Sequence, residues 1–80
     1  MAATAQIVYQ PYVTGARGAL KPGIPVVCRT ADEGLRRAER AMAGGSILGA
    51  RVVRVLHDSD ADEFGPPEYL GEFGRVPEEP

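Results

Sequence analysis

The chain has 80 residues, 44% of them hydrophobic, and a net charge of −2, which predicts one small domain with a modest core. Its single cysteine, Cys28, excludes an internal disulfide and a zinc site built from several cysteines. The N-terminal residues show no signal-peptide pattern and no apolar run is long enough to cross a membrane, so we expect a cytoplasmic protein.

The first third of the chain predicts two strands joined by a loop. Ala5–Val13 alternates between apolar and polar residues with the period of a half-buried strand, and Pro11 indicates a strand end or a sheet edge. Thr14–Gly23 has the glycines and proline typical of a loop. Ile24–Arg29 alternates again and predicts the second strand.

Thr30–Gly45 has the clearest helical pattern. Thr30 followed three residues later by Glu33 predicts a capping box at the start. Gly44 and Gly45 favour a left-handed stop at the end. One apolar stripe recurs with helical spacing and should face the sheet: Ala31, Leu35, Ala38 and Met42.

The last part of the chain predicts two more strands. Ala50–His57 is rich in valine, Asp58–Pro67 is an acidic loop, and Glu68–Val76 predicts a strand that pairs with Ala50–His57. The sequence therefore predicts a single α+β domain over residues 1–76, in the order β-β-α-β-β, with one helix on a sheet of three to four strands. Residues 77–80 should form a disordered acidic tail.

The strand Ala50–His57 is apolar on both faces, although one helix can cover only one face. We expect the core under the helix to contain Ile7, Tyr9, Ile24, Val26, Cys28, Val53 and Val55. The opposite face should then form an interaction surface made by Val8, Tyr12, Val27, Val52, Arg54 and Leu56. Alternatively, the last strand or the Asp58–Pro67 loop folds back and covers this face.

Charge is divided unevenly along the chain. Residues 1–57 carry eight Lys and Arg against three acidic residues, whereas residues 58–80 carry one Arg against eight. A nucleic-acid surface is therefore a second hypothesis, and its candidate residues are Arg17, Lys21, Arg36, Arg37 and Arg40. The acidic residues within the helix and the pI near 5.3 favour a solvated helix face instead.

Two sequence patterns partly resemble functional sites, one a calcium loop and the other a catalytic pair. Asp58, Asp60 and Asp62 begin like a calcium loop, but the required glycine and bidentate glutamate are missing. Cys28 and His57 are the residue types of a nucleophile and its base, but Cys28 shares its face with apolar residues and is better explained as a core residue. We therefore predict no enzyme activity, no cofactor and no metal site.

Three segments resemble small bacterial proteins that have no assigned activity. The shared pattern reads P-V-x-C-R-T-A-D-E-x-L-R-R-A-E-R, a Val-rich strand and F-G-x-V-P-E, and is carried by Thr30–Arg40, Arg51–Leu56 and Phe73–Glu78. The resemblance covers about a third of the chain, implies a bacterial source and transfers no functional residue.

The sequence predicts a non-catalytic interaction module that binds a protein partner or a second copy of itself through the face not covered by the helix. The alternative is a nucleic-acid accessory protein that uses the arginine-rich helix face. Neither hypothesis involves a membrane or a small-molecule substrate.

Overall fold

Helix α1 (Ala31–Gly44) packs on one face of a six-stranded sheet in the computed structural model, which describes residues 3–58 and 63–77. The strands are β1 (Ala3–Thr14), β2 (Leu20–Pro22), β3 (Val26–Cys28), β4 (Gly49–Asp58), β5 (Glu63–Phe64) and β6 (Glu68–Gly74). All of the strand pairs within the described residues are antiparallel. The predicted α+β fold with one helix is confirmed.

The two long strands β1 and β4 form the centre of the sheet. They pair along the whole of β4, from Ala3 opposite Asp58 to Tyr12 opposite Gly49. On the other side of β1, β2 and β3 pair with it in succession, and β5 and β6 do the same on the far side of β4. Each edge of the sheet is therefore one interrupted strand. Helix α1 connects β3 to β4, which run parallel to each other with β1 between them.

The prediction that Pro11 marks a strand end or an edge was wrong. Pro11 lies inside the central strand β1, opposite Ala50 of β4. Its carbonyl oxygen accepts a hydrogen bond from the amide of Gly23 at 2.9 Å, in the gap between β2 and β3. Because the edge strand is interrupted there, the N–H group that proline lacks is not needed for the ladder.

Two short strands lie in segments that the sequence predicted as loops. β2 falls within Thr14–Gly23, and β5 falls within Asp58–Pro67; residues 59–62 of the second segment are outside the described part of the chain. Each of them pairs across a short turn with the long strand that is its neighbour in sequence, and the loop-like composition of the two segments does not reveal such pairing.

The caps of α1 form as predicted. The amide of Glu33 donates to Oγ1 of Thr30, and the amide of Arg29 donates to Oε1 of Glu33, both at 3.1 Å. At the other end Gly45 adopts a left-handed conformation with φ of 75°. Within the described residues, no helix combines the length and the hydrophobicity that a membrane crossing requires.

The core lies between α1 and the sheet and is small. Ala38 of the helix stripe is fully buried, and Gly34 brings the helix so close that a Cβ there would lie 2.9 Å from Cγ1 of Val52. The remaining buried apolar residues of this core are Ile7, Tyr9, Cys28 and Ala50.

The prediction placed the side chains of β4 on the wrong faces of the sheet. Val52 pairs with Tyr9 and is fully buried under α1, so Val53 and Val55 point to the opposite face. Ile24, predicted for the core, is 83% exposed because it falls in the break between β2 and β3. A shift of one residue in a strand reverses the environment of every side chain in it.

Candidate interaction surface

The face of the sheet opposite α1, here called the open face, carries a row of apolar side chains across four strands. Val27 of β3 pairs with Val8 of β1, Val8 pairs with Val53 of β4, and Val53 pairs with Tyr69 of β6. Paired residues point to the same face, so these four side chains lie side by side. The outer members are well exposed, Val27 by 62% and Tyr69 by 49%. We call these four residues the apolar row.

The next row of the open face is polar, and its groups are bonded within the protein. Gln10 pairs with Arg51, and Arg51 pairs with Glu72. Nε of Arg51 donates to Oε2 of Glu72 at 2.9 Å, and its guanidinium lies 5.4 Å from the ring centre of Tyr69. Nε2 of Gln10 donates to the carbonyl oxygens of Pro11 and Gly23. This row therefore adds little net charge to the open face.

The chain after β6 folds onto one end of the open face and forms a strap, residues Arg75–Pro77. Gly74, with φ of 61°, turns the chain, and the amide of Arg75 donates to the carbonyl oxygen of Leu48. The strap passes directly over Gly49, where a Cβ would lie 1.8 Å from the Arg75 carbonyl oxygen. Within the described residues, the alternative in which the chain covers its own face is thus realised at the Gly49 end.

Arg51 fixes the far end of the strap. Its Nη2 donates to the carbonyl oxygen of Pro77 at 2.5 Å. Residues 77–80 were predicted to form a disordered tail; Pro77 makes this contact, and residues 78–80 lie outside the described residues. The side chain of Arg51 is only 8% exposed, which is unusual for arginine and is explained by its bonds to Glu72 and Pro77.

Only part of the predicted interaction set lies on the free part of the open face. Val8 and Val27 are there. Tyr12 points to the same face, but it pairs with Gly49 at the strap end and is 8% exposed. Val52 is buried under α1, so its place in the predicted set was wrong.

Arg54 and Leu56 were also assigned to the wrong face. They share the face of Val52, towards the end of β4 that α1 does not cover: Arg54 is ion-paired with Glu68, and Leu56 is 55% exposed. The prediction missed Val53 and Tyr69. Gly34, a small residue on the buried face of α1, signals a close approach by some side chain of the sheet, but the sequence does not identify Val52 as that side chain.

The predicted nucleic-acid residues are divided between two parts of the fold. Arg36, Arg37 and Arg40 line a depression of about 670 Å³ on α1, together with Thr30, Asp32, Glu33 and Ala41. Lys21 lies on β2 and Arg17 in the turn before it, whereas α1 packs against β1, β3, β4 and β6. Arg36 is paired with Asp32 at 3.0 Å on the exposed helix surface.

The structure does not bring together Cys28 and His57, the residues considered as a nucleophile and its base. Cys28 pairs with Ile7 and is buried beneath α1, whereas His57 pairs with Thr4 on the open face, so the sheet separates the two side chains. Asp60 and Asp62 of the calcium-like pattern lie outside the described residues. The part of the chain that is described holds no group of three or more His, Cys, Asp or Glu arranged to bind a metal ion.

Comparison with models of protein families, with curated proteins and with solved structures finds no match to this chain. The resemblance to small bacterial proteins stays a prediction.

Proposed function

We propose that the protein is a small non-catalytic interaction module that associates with a second copy of itself through the open face. The observation that carries this proposal is the apolar row. Four apolar side chains in register across β3, β1, β4 and β6 make a continuous strip, and its two ends are about half exposed or more. Clustered apolar side chains of this kind mark interaction sites, whereas scattered ones do not.

The charge of the open face supports a second copy as the partner. In a two-fold contact the same patch lies on both molecules, so an unpaired charge near the axis faces its own copy and is repelled by it. Among the described residues, the charged groups of the apolar row and of the polar row beside it are those of Arg51 and Glu72, which form an ion pair at 2.9 Å. Gln6 and Gln10 supply the other polar groups near the apolar row. Two such faces can meet without like-charge repulsion.

The area of the open face that the strap leaves uncovered sets the expected affinity of the dimer. Four strands spaced by about 4.8 Å and seven residues rising by about 3.3 Å each give roughly 440 Å² per copy. The total of about 900 Å² lies at the low end of specific interfaces. We therefore expect a reversible dimer with a dissociation constant of roughly micromolar order.

Light scattering over a range of protein concentrations, at low and at high salt, tests the proposal. The wild-type protein should form a dimer that persists at high salt, because apolar association is not screened. Val53→Glu places two carboxylates near each other in the dimer and should weaken association at least tenfold. Leu56→Glu is the matched control, since it adds the same charge to the same strand on the opposite face. A wild-type monomer at all concentrations, or equal effects of the two substitutions in folded proteins, would overturn the proposal.

A second candidate function is nucleic-acid binding by α1. The observation that favours it is that Arg37 and Arg40 have no carboxylate within 4 Å among the described residues, so both guanidinium groups are free to bind phosphate. Binding of a DNA duplex should then fall steeply with salt. The double substitution Arg37→Gln and Arg40→Gln should abolish it, and Arg54→Gln should not. Binding that does not change with the double substitution would remove this candidate.

A further inference from the structure

We propose that the two copies meet with their strands antiparallel, so that the two-fold axis runs across the strands along the apolar row. This arrangement rests on the proposed self-association and adds which residue of one copy lies against which residue of the other. It follows from the position of the strap.

The open face has two unlike ends. At one end the strap lies over Gly49 and is tied to Arg51 through Pro77. At the other end the open face continues with Val55 and His57, which pair with Gln6 and Thr4. The apolar row lies between them, with the polar row of Arg51 separating it from Gly49.

Two open faces can be stacked about a two-fold axis in two ways that superimpose their apolar rows. If the axis runs along the strands, both straps lie at the same end of the stacked sheets. A peptide chain is about 4.8 Å thick and packed sheets are about 10 Å apart. Both straps would therefore crowd one end of the gap and leave the other end without a strap, so the sheets would be wedged apart and the apolar rows could not close on each other.

If the axis runs across the strands, each strap lies opposite the strap-free end of the other copy. The straps then flank the apolar rows at opposite ends, and the rows can close on each other. Each strand lies over the same strand of the second copy, so Val27 meets the partner's Val27 and Tyr69 meets the partner's Tyr69. Arg51 lies towards the partner's Val55, and no like charges are brought face to face.

Crosslinking of single-cysteine variants distinguishes the two arrangements. Val27→Cys and Tyr69→Cys are made separately in a Cys28→Ala background, which removes the native thiol. Both sites are exposed and lie on opposite edges of the sheet. Each variant, and an equimolar mixture of the two, is treated with a short bis-maleimide and mapped by mass spectrometry. The background protein without added cysteines is the control.

The proposed arrangement predicts that each variant crosslinks to itself and that the mixture gives no Val27→Cys to Tyr69→Cys product. Crosslinking only in the mixture would show that the axis runs along the strands, which overturns this inference and leaves self-association intact. A dimer in light scattering that gives no crosslinked product would also overturn the arrangement. Variants and wild type that are all monomeric would overturn the proposed function itself.

Discussion

Gly34 and Val52 approach so closely that a Cβ on Gly34 would lie 2.9 Å from Cγ1 of Val52. Separations of this size are essentially absent between real Cβ atoms and their neighbours, and Val52 is fully buried in the described structure with stiff branching at its Cβ.

We therefore expect Gly34→Ala to destabilise the protein by about 1–2 kcal/mol, even though alanine favours a helix by about 1 kcal/mol relative to glycine. Val52→Ala alone should cost on the order of 2 kcal/mol because it leaves a cavity. Adding it to Gly34→Ala should cost less than the sum of the two. Chemical denaturation of the four proteins measures this coupling, and strictly additive effects would contradict the packing described here.

Arg51 and Arg54 test how burial changes the contribution of an ion pair to the free energy of unfolding. Both lie on β4 and pair with glutamates of β6, but the Arg51 side chain is 8% exposed and that of Arg54 is 49% exposed. Arg51→Met should lower the free energy of unfolding by about 2 kcal/mol, because it removes the bonds to Glu72 and Pro77. Arg54→Met should change it by less than about 1 kcal/mol. Equal losses in denaturation experiments would contradict this assignment.

Substitution of Gly49 by alanine tests the strap, and the same substitution at Gly44 is its matched control. Gly49→Ala should release the strap, because its Cβ would lie 1.8 Å from the Arg75 carbonyl oxygen and backbone atoms cannot rotate away as a side chain can. The amide of Arg75, which donates to Leu48, should then exchange with deuterium much faster. Gly44→Ala meets no atom within 4 Å and should leave that exchange rate unchanged while stabilising α1 by up to about 1 kcal/mol. Protection of Arg75 in the Gly49→Ala protein would argue against the strap.

Tyr9 should make the protein sensitive to alkaline pH. Burial raises the pKa of Tyr9 above its ordinary value of 10.0; the nearby Arg37 opposes this shift and Cys28 adds to it. The folded protein thus holds the phenolic proton more tightly than the unfolded chain does, and the stability that this provides is complete below pH 10 and is lost as the pH rises above it. Tyr9→Phe should show a smaller loss of stability between pH 9 and 11, measured by denaturation at each pH. An unchanged pH profile would contradict this role of Tyr9.

The sequence predicted those features whose signals are local. The capping box of Thr30 and Glu33, the glycine stop and the helix stripe each depend on residues within a few positions of one another, and each is found in the structure. The order of strands and helix followed from the same kind of pattern.

The sequence does not show which side chains of β4 face the helix, because the pattern is consistent with either set of alternate residues pointing that way. Val52 and Leu56 alternate with Val53 and Val55, and arginine occurs on both sides. The choice is made by Gly34 above and Tyr9 beside Val52, residues that are 18 and 43 positions away in the sequence. The burial of Arg51 was missed for a similar reason, since it depends on Pro77, which is 26 positions away.

The position of β1 in the middle of the sheet has a consequence for synthesis of the protein. Its partner β4 ends at Asp58, so β1 is synthesised before β4 and lacks its main partner until residues 49–58 have been made. Pairing between such distant segments is slow, because a large loop must be closed before any contact forms. A chain that stops at Leu48 should therefore show little sheet by circular dichroism, since β1 would retain only the short strands β2 and β3 as partners. During translation β1 is thus an unpaired strand until β4 has been made, and such a strand can aggregate by pairing with another chain.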